Sequence, residues 1–307
     1  TTSVGGTVTL NGSIKTSTNP IVLGAVTLAN PVTIDTDATN NNGDITIGVV
    51  TGSGQNFAME TGNNIAGADI TASGAISNVA TLALDNVGGT ATFSGDVDVN
   101  ALDVDNTVAN VAFTGSGSSV VNAVSFANDG TLTIGDAAGD IFAFNGGLTT
   151  TSVGGTVTLN AGTISTSNDA VVLGAVTIAV ASGSDVTIDT NATDTTGDIT
   201  IGAVSGSSNS LTLKTENNIN NADVTLNANI SGLATLNLSN IGGTATLSGD
   251  VDVTTLSVDN TVANVAFTGD GSTITNAVSF ANDGTLTLGT SGGTQTYTGG
   301  LTTTSVG

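Results

Sequence analysis

Thr2-Ser3-Val4-Gly5-Gly6-Thr7-Val8-Thr9-Leu10 returns as Thr151-Ser152-Val153-Gly154-Gly155-Thr156-Val157-Thr158-Leu159, and its opening returns again as Thr304-Ser305-Val306-Gly307. A phrase recurring at a fixed long period is the mark of a repeat architecture. The chain divides into a long repeat at 1–149, a second at 150–302 and the start of a third at 303–307. Asp105-Asn106-Thr107-Val108-Ala109-Asn110-Val111-Ala112-Phe113 likewise returns at 259–267. The second copy carries an insertion, Ala181-Ser182-Gly183-Ser184, where the first has a short connection near Asn30-Pro31. Insertions belong in surface corners.

A finer period lies inside each copy. An apolar–Thr–apolar marker reads Val8-Thr9-Leu10, Val26-Thr27-Leu28, Ile45-Thr46-Ile47, Ile70-Thr71-Ala72, Ala91-Thr92-Phe93, Val111-Ala112-Phe113 and Leu132-Thr133-Ile134. The same series follows in the second copy from Val157-Thr158-Leu159 to Leu286-Thr287-Leu288. The Ala that breaks the Thr column falls in the same unit of both copies, at Ala112 and Ala266. Second markers follow, among them Ile21-Val22-Leu23, Val32-Thr33-Ile34, Phe57-Ala58-Met59, Leu82-Ala83-Leu84 and Phe142-Ala143-Phe144.

Each marker has a period of two, so each is a strand with apolar residues inward and Thr outward. Two or three such strands, joined by Gly, Asn, Asp and Ser corners, make one coil. One coil cannot bury its apolar face alone, and stacking like on like supplies both the core and the backbone ladder. The expected fold is all-β, a parallel β-solenoid (β-helix) of about 14 coils of about 21 residues. Immunoglobulin-like sandwiches fit the turn spacing but not one motif recurring in register. A propeller calls for longer blades with aromatic signatures, and aromatics are 3% here.

Composition sets the boundaries of function. There is no Cys and no His, which removes thiol nucleophiles, Ser-His-Asp triads and Cys/His metal sites. Lys15 and Lys214 are the only basic residues, against 25 acidic ones, for a net charge of −23. Two cations cannot neutralise a nucleic-acid backbone, and no apolar run approaches the length of a membrane span. Neither lysine shows a role in the sequence.

Runs such as Gly43-Asp44-Ile45-Thr46-Ile47-Gly48, Gly130-Thr131-Leu132-Thr133-Ile134-Gly135 and Gly197-Asp198-Ile199-Thr200-Ile201-Gly202 resemble the repeats of giant bacterial surface proteins. These are the filamentous-haemagglutinin-like and autotransporter-like adhesins and the acidic β-strand-repeat proteins labelled S-layer-like. The resemblance covers the whole chain through degenerate motifs. It implies a secreted right-handed parallel β-helix at the cell surface, forming a stalk, fibre or coat, and the near-identical phrases at 105–113 and 259–267 point to an array many copies long. The implied partners are neighbouring repeats of the same protein, in a homopolymer or a side-by-side assembly.

Three chemistries are suggested by the outward residue types. Asp96, Asp98, Asp103 and Asp105, with Asp250 and Asp252 in the second copy, are the candidate ligands for calcium. The competing reading is a solvated acidic face that keeps a Thr-rich solenoid soluble; no cofactor is required. Paired carboxylates also serve glycoside hydrolysis, but sugar-stacking aromatics are nearly absent and the pairs recur in both copies. A Thr row at Thr27, Thr46, Thr71, Thr92 and Thr133 resembles an ice-binding face, with Ala25, Asp44, Asp69 and Asn110 breaking its second column. Asn86, Asn106, Asn128, Asn240, Asn260 and Asn282 are expected to form a corner ladder, and Phe93, Phe113, Phe126, Phe142 and Phe144 a core stack. The expected role is a non-catalytic structural segment of a secreted surface protein. The alternative is an adhesin segment whose solenoid surface binds a host, mineral or polysaccharide surface.

Overall fold

The computed structural model describes residues 4–62, 67–216 and 221–304. Thr2 and Ser3 of the opening phrase and 305–307 of its last return lie outside them. Among the described residues the chain is all-β without a helix, a parallel β-solenoid of about 12 turns. It forms two compact units: Thr1–Asp136, Asp140–Phe144 and Thr149–Val157 in the first, Ala137–Gly139, Asn145–Leu148 and Thr158–Gly307 in the second.

Each turn has three sides. In the first unit the threonine side stacks Ile21, Ile45, Ile70, Ala91, Val111 and Leu132 in parallel register. A second side stacks Val8, Val26, Val50, Ile76 and Val97. A third stacks Ile14, Ile34, Met59, Leu84, Val104 and Phe126. The second unit repeats this internal order. Its threonine side runs Val171, Ile199, Val224, Ala245, Val265 and Leu286. Its third side runs Ile164, Ile188, Leu213, Leu238, Val258 and Phe280.

The burial pattern follows the period of two. Ile45–Ile47 and Ile199–Ile201 each bury both isoleucines and leave the central Thr half-buried. Short β-branched strands suit this geometry because side chains stand off a pleated surface in contact with the strand below. The core is one continuous apolar column in each unit, and Phe93, Phe113, Phe126, Phe142 and Phe144 are all buried in the first.

The register differs from the sequence expectation at the start of each copy. Val8–Leu10 and Val26–Leu28 do not open the threonine side; they pair with each other on the second side, and Thr27 stacks between Thr9 and Thr51. The strand that opens the threonine side is Ile21–Leu23, with Val22 outward above Thr46. Each copy therefore supplies six threonine-side strands rather than seven, hence about 12 turns rather than 14. An apolar–x–apolar triplet fits any of the three sides, and the corner lengths decide which one it takes.

Corners hold buried polar groups that the ladder satisfies. Thr36 Oγ1 donates to Gly43 O at 2.5 Å, and Thr190 Oγ1 to Gly197 O at 2.5 Å. Thr61 Oγ1 donates to Asn86 O, and Thr215 Oγ1 to Asn240 O. Asn86 and Asn240 sit at φ 52° and 51°, the left-handed region that Asn tolerates. This corner is thus a Thr–Asn column joined through hydroxyls and carbonyls, in place of the expected ladder of side-chain amides. Asn128 and Asn282, also in the expected ladder, are fully buried and tie down their own turns through Nδ2, onto Thr131 O and Thr285 O. The 181–184 insertion is an exposed turn closed by Ser184 N on Ala181 O.

Candidate functional site

The outward surface is where ligands could be met, and several of its acidic and amide side chains are tied to the ladder. The residue preceding three of the threonine-side strands in each unit accepts from the amide one turn on. Asp44 Oδ1 takes Asp69 N at 2.9 Å, Asp69 Oδ1 takes Thr90 N at 2.7 Å, and Asn110 Oδ1 takes Thr131 N at 2.8 Å. The second unit matches it: Asp198 with Asp223 N, Asp223 with Thr244 N, Asn264 with Thr285 N. These acids and amides are the residues that break the second threonine column. They satisfy backbone donors at the corner, so the outward hydroxyl row is single: Thr46, Thr71, Thr92 and Thr133, interrupted by Ala112.

The six candidate calcium ligands take separate positions. Asp96 Oδ1 accepts from Gly117 N at 3.0 Å, and Asp250 Oδ1 from Gly271 N at 2.8 Å. Asp98 lies outward between Ser77 and Ser119. Asp252 lies between Ser231 and Thr273, accepting from Thr273 N at 3.0 Å. Asp105 accepts from Thr107 N and Oγ1, at 2.8 and 2.5 Å. Asp103 stacks on Ala83. Among the described residues no three acidic side chains converge in a way that could hold a metal ion.

The acids that do come together lie on the third side of the first unit, where Asp103 and Asp105 of the candidate set flank the end of the column at Asp85. Lys15, Asp35, Glu60 and Asp85 follow one another turn by turn. Lys15 Nζ is 2.9 Å from Asp35 Oδ2 and 3.3 Å from Asp37 Oδ2, and Asp35, then Asp37, hold its pKa above the usual lysine range. Burial, then Asp35 and Asp85, push the Glu60 carboxyl up; burial, then Asp105 and Asp103, push Asp85 up. Like charges stacked one turn apart repel through a partly dry surface.

The second unit resolves the same column differently. Lys214 stands where the first copy has Glu60, stacked on Asp189, the counterpart of Asp35. Lys214 Nζ is 2.6 Å from the nearly buried Asp189 Oδ2 and 3.9 Å from Glu216. The two lysines, silent in the sequence, thus neutralise equivalent aspartates from opposite directions along the stack. Only the register could have found them.

A pH dependence follows from the acidic column. Raised folded-state values mean that Glu60 and Asp85 hold protons more tightly folded than unfolded. Their effect therefore favours the fold at pH below the unfolded carboxylate range and is lost as pH rises through the folded values. Glu60→Gln is expected to raise stability at pH 7 by about 0.5 kcal/mol, since directly opposed like charges cost a fraction of this size. The gain should shrink towards pH 4; urea unfolding at both pH values measures it. A gain that is equal at both values would exclude charge repulsion as its source.

The described residues also contain no helix long and apolar enough to cross a membrane. Compared with protein-family models, with curated protein sequences and with solved structures, the chain matches none.

Proposed function

We propose that this chain is a non-catalytic structural segment of a large secreted surface protein, working at the cell surface as part of a stiff fibre, stalk or coat. The observation that carries this reading is the use of the outward polar groups. Asp44, Asp69, Asn110 and Asp96, and their counterparts in the second copy, accept from backbone amides one turn on and so serve the coil-to-coil ladder itself. A surface spent on holding turns together, in the same way in both copies, suits a building material. A continuous parallel ladder resists bending and stretching, and the net charge of −23 keeps neighbouring solenoids apart.

The test is electron microscopy of native cells labelled with an antibody to one repeat. Label spaced periodically along a filament or sheath is the expected result. Label confined to short projections at points of contact would overturn it in favour of the adhesive reading.

A further inference from the structure

Two copies of one repeat allow a comparison within the molecule. On the threonine side the outward row Val22, Thr46, Thr71, Thr92, Ala112 and Thr133 returns as Val172, Thr200, Thr225, Thr246, Ala266 and Thr287 without a change. The inward residues behind that row do change: Ile70, Ala72 and Phe93 become Val224, Leu226 and Leu247. On the third side the outward residues change as well. Lys15, Ala58, Glu60, Ala83 and Asp103 become Ser165, Thr212, Lys214, Asn237 and Ser257. A core responds to a single methylene, whereas most surface side chains barely affect stability. The demand that holds this row fixed over an altered core lies outside its own turns.

The chemistry of the row says what it meets. Among the described residues none of its threonine hydroxyls has a hydrogen-bond partner within the chain, whereas corner hydroxyls such as Thr36 and Thr190 do. Strand propensity alone would be served as well by Val, Ile or Tyr. A hydroxyl both donates and accepts, so a row of them is complementary to another row of the same kind, as a row of carboxylates is not. Successive residues of the row are about 4.8 Å apart, a spacing that a second parallel solenoid shares, so two rows stay in step along their length. The row carries no charge, and the acids beside it, Asp44, Asp69, Asp198 and Asp223, are tied to amides one turn on.

We propose that the threonine side is a lateral contact face, on which a unit of one molecule packs against the threonine side of a second copy of this chain. The contact is isologous, the same face on both partners, and hydroxyls of one row bond to hydroxyls of the other. The net charge of −23 opposes other approaches and leaves this uncharged row as the place where two solenoids meet. Six strands about 4.8 Å apart, on a face about 10 Å wide, bury about 250 Å² on each partner. The sum of about 500 Å² lies below the roughly 1,200 Å² of a stable pair. One face is therefore a weak link, and strength comes from its repetition in every copy. This inference rests on the reading of the chain as building material and says how its solenoids join side by side. It is tested on purified protein, so cell labelling and face pairing can fail independently.

The chain has no Cys, so a single introduced thiol reports contact without background. Thr71→Cys and Thr92→Cys chains are mixed in equal amounts, which covers both parallel and antiparallel pairing. Ser239→Cys and Ser257→Cys chains, mixed likewise, are the control on the third side. All four residues are half-buried and outward, so circular dichroism and Tm should match the parent. Disulfide-linked dimers are followed at about 0.15 M salt, where charge is screened beyond about 8 Å. Each rate is normalised to that thiol's reaction with a small disulfide. The threonine-side mixture is expected to cross-link at least about tenfold faster than the control. Equal rates overturn the proposal. So does retention of the parent, and not of Thr71→Asp/Thr225→Asp, on a neutral polysaccharide matrix without faster cross-linking, which would give the row to a glycan.

Discussion

Phe113→Ala is expected to lower the stability of the first unit by about 3–5 kcal/mol, the usual loss for a buried Phe truncated to Ala. Phe113 sits at the centre of an aromatic cluster. Its ring stacks on Phe93 at 5.1 Å and 15°, and meets Phe126 and Phe142 edge-on at 6.0 and 6.2 Å. Phe142 in turn stacks on Phe144 at 6.5 Å. Removing the central ring opens a cavity that the strands cannot close, because each is held at a fixed spacing of about 4.8 Å by the ladder on both sides. The aromatic contacts add to the lost burial. Phe113→Leu keeps most of the volume and should cost less than about 1.5 kcal/mol. Urea denaturation of the three proteins measures this; a loss below about 1 kcal/mol for the alanine variant would mean that the cluster repacks.

Gly95→Val should be as damaging, for a different reason. A Cβ at Gly95 would lie 2.3 Å from Gly74 C, 2.5 Å from Ala75 N and 2.6 Å from Gly74 O. Every obstructing atom is backbone, so no side chain can swing away, and relief requires parting two turns of the solenoid. We expect a loss of about 3 kcal/mol or more, at the large end of single substitutions. Gly12→Val is the control: a Cβ there meets nothing within 4 Å, and its effect should stay within about 0.5 kcal/mol. Equal losses at the two positions would contradict the close stacking of Gly95 on Gly74.

The acidic column shows what stacking does to charge. A single Asp on a solvated strand is harmless, but one placed directly above another is not. The first copy tempers its column with Lys15 at one end, and the second replaces the Glu60 position with Lys214. The result is one unrelieved stretch, Glu60 and Asp85, which is where the raised carboxyls lie.

The sequence alone determined the class of fold, because a period of two that recurs with glycine-rich corners can bury its apolar face only by stacking parallel turns. It also determined that Phe113 and its neighbours are core, and that the insertion at 181–184 is a corner. The tertiary structure decided which strands share a side. Val8–Leu10, Ile21–Leu23 and Val26–Leu28 read alike, and only the corner lengths between them separate them. It likewise decided the partners of Lys15 and Lys214 and the separate stations of the six aspartates. Those depend on residues about 20 to 25 positions apart being brought one turn apart. Alternation of apolar and polar residues says which face points inward, while the register of one turn on the next says what each outward group will meet.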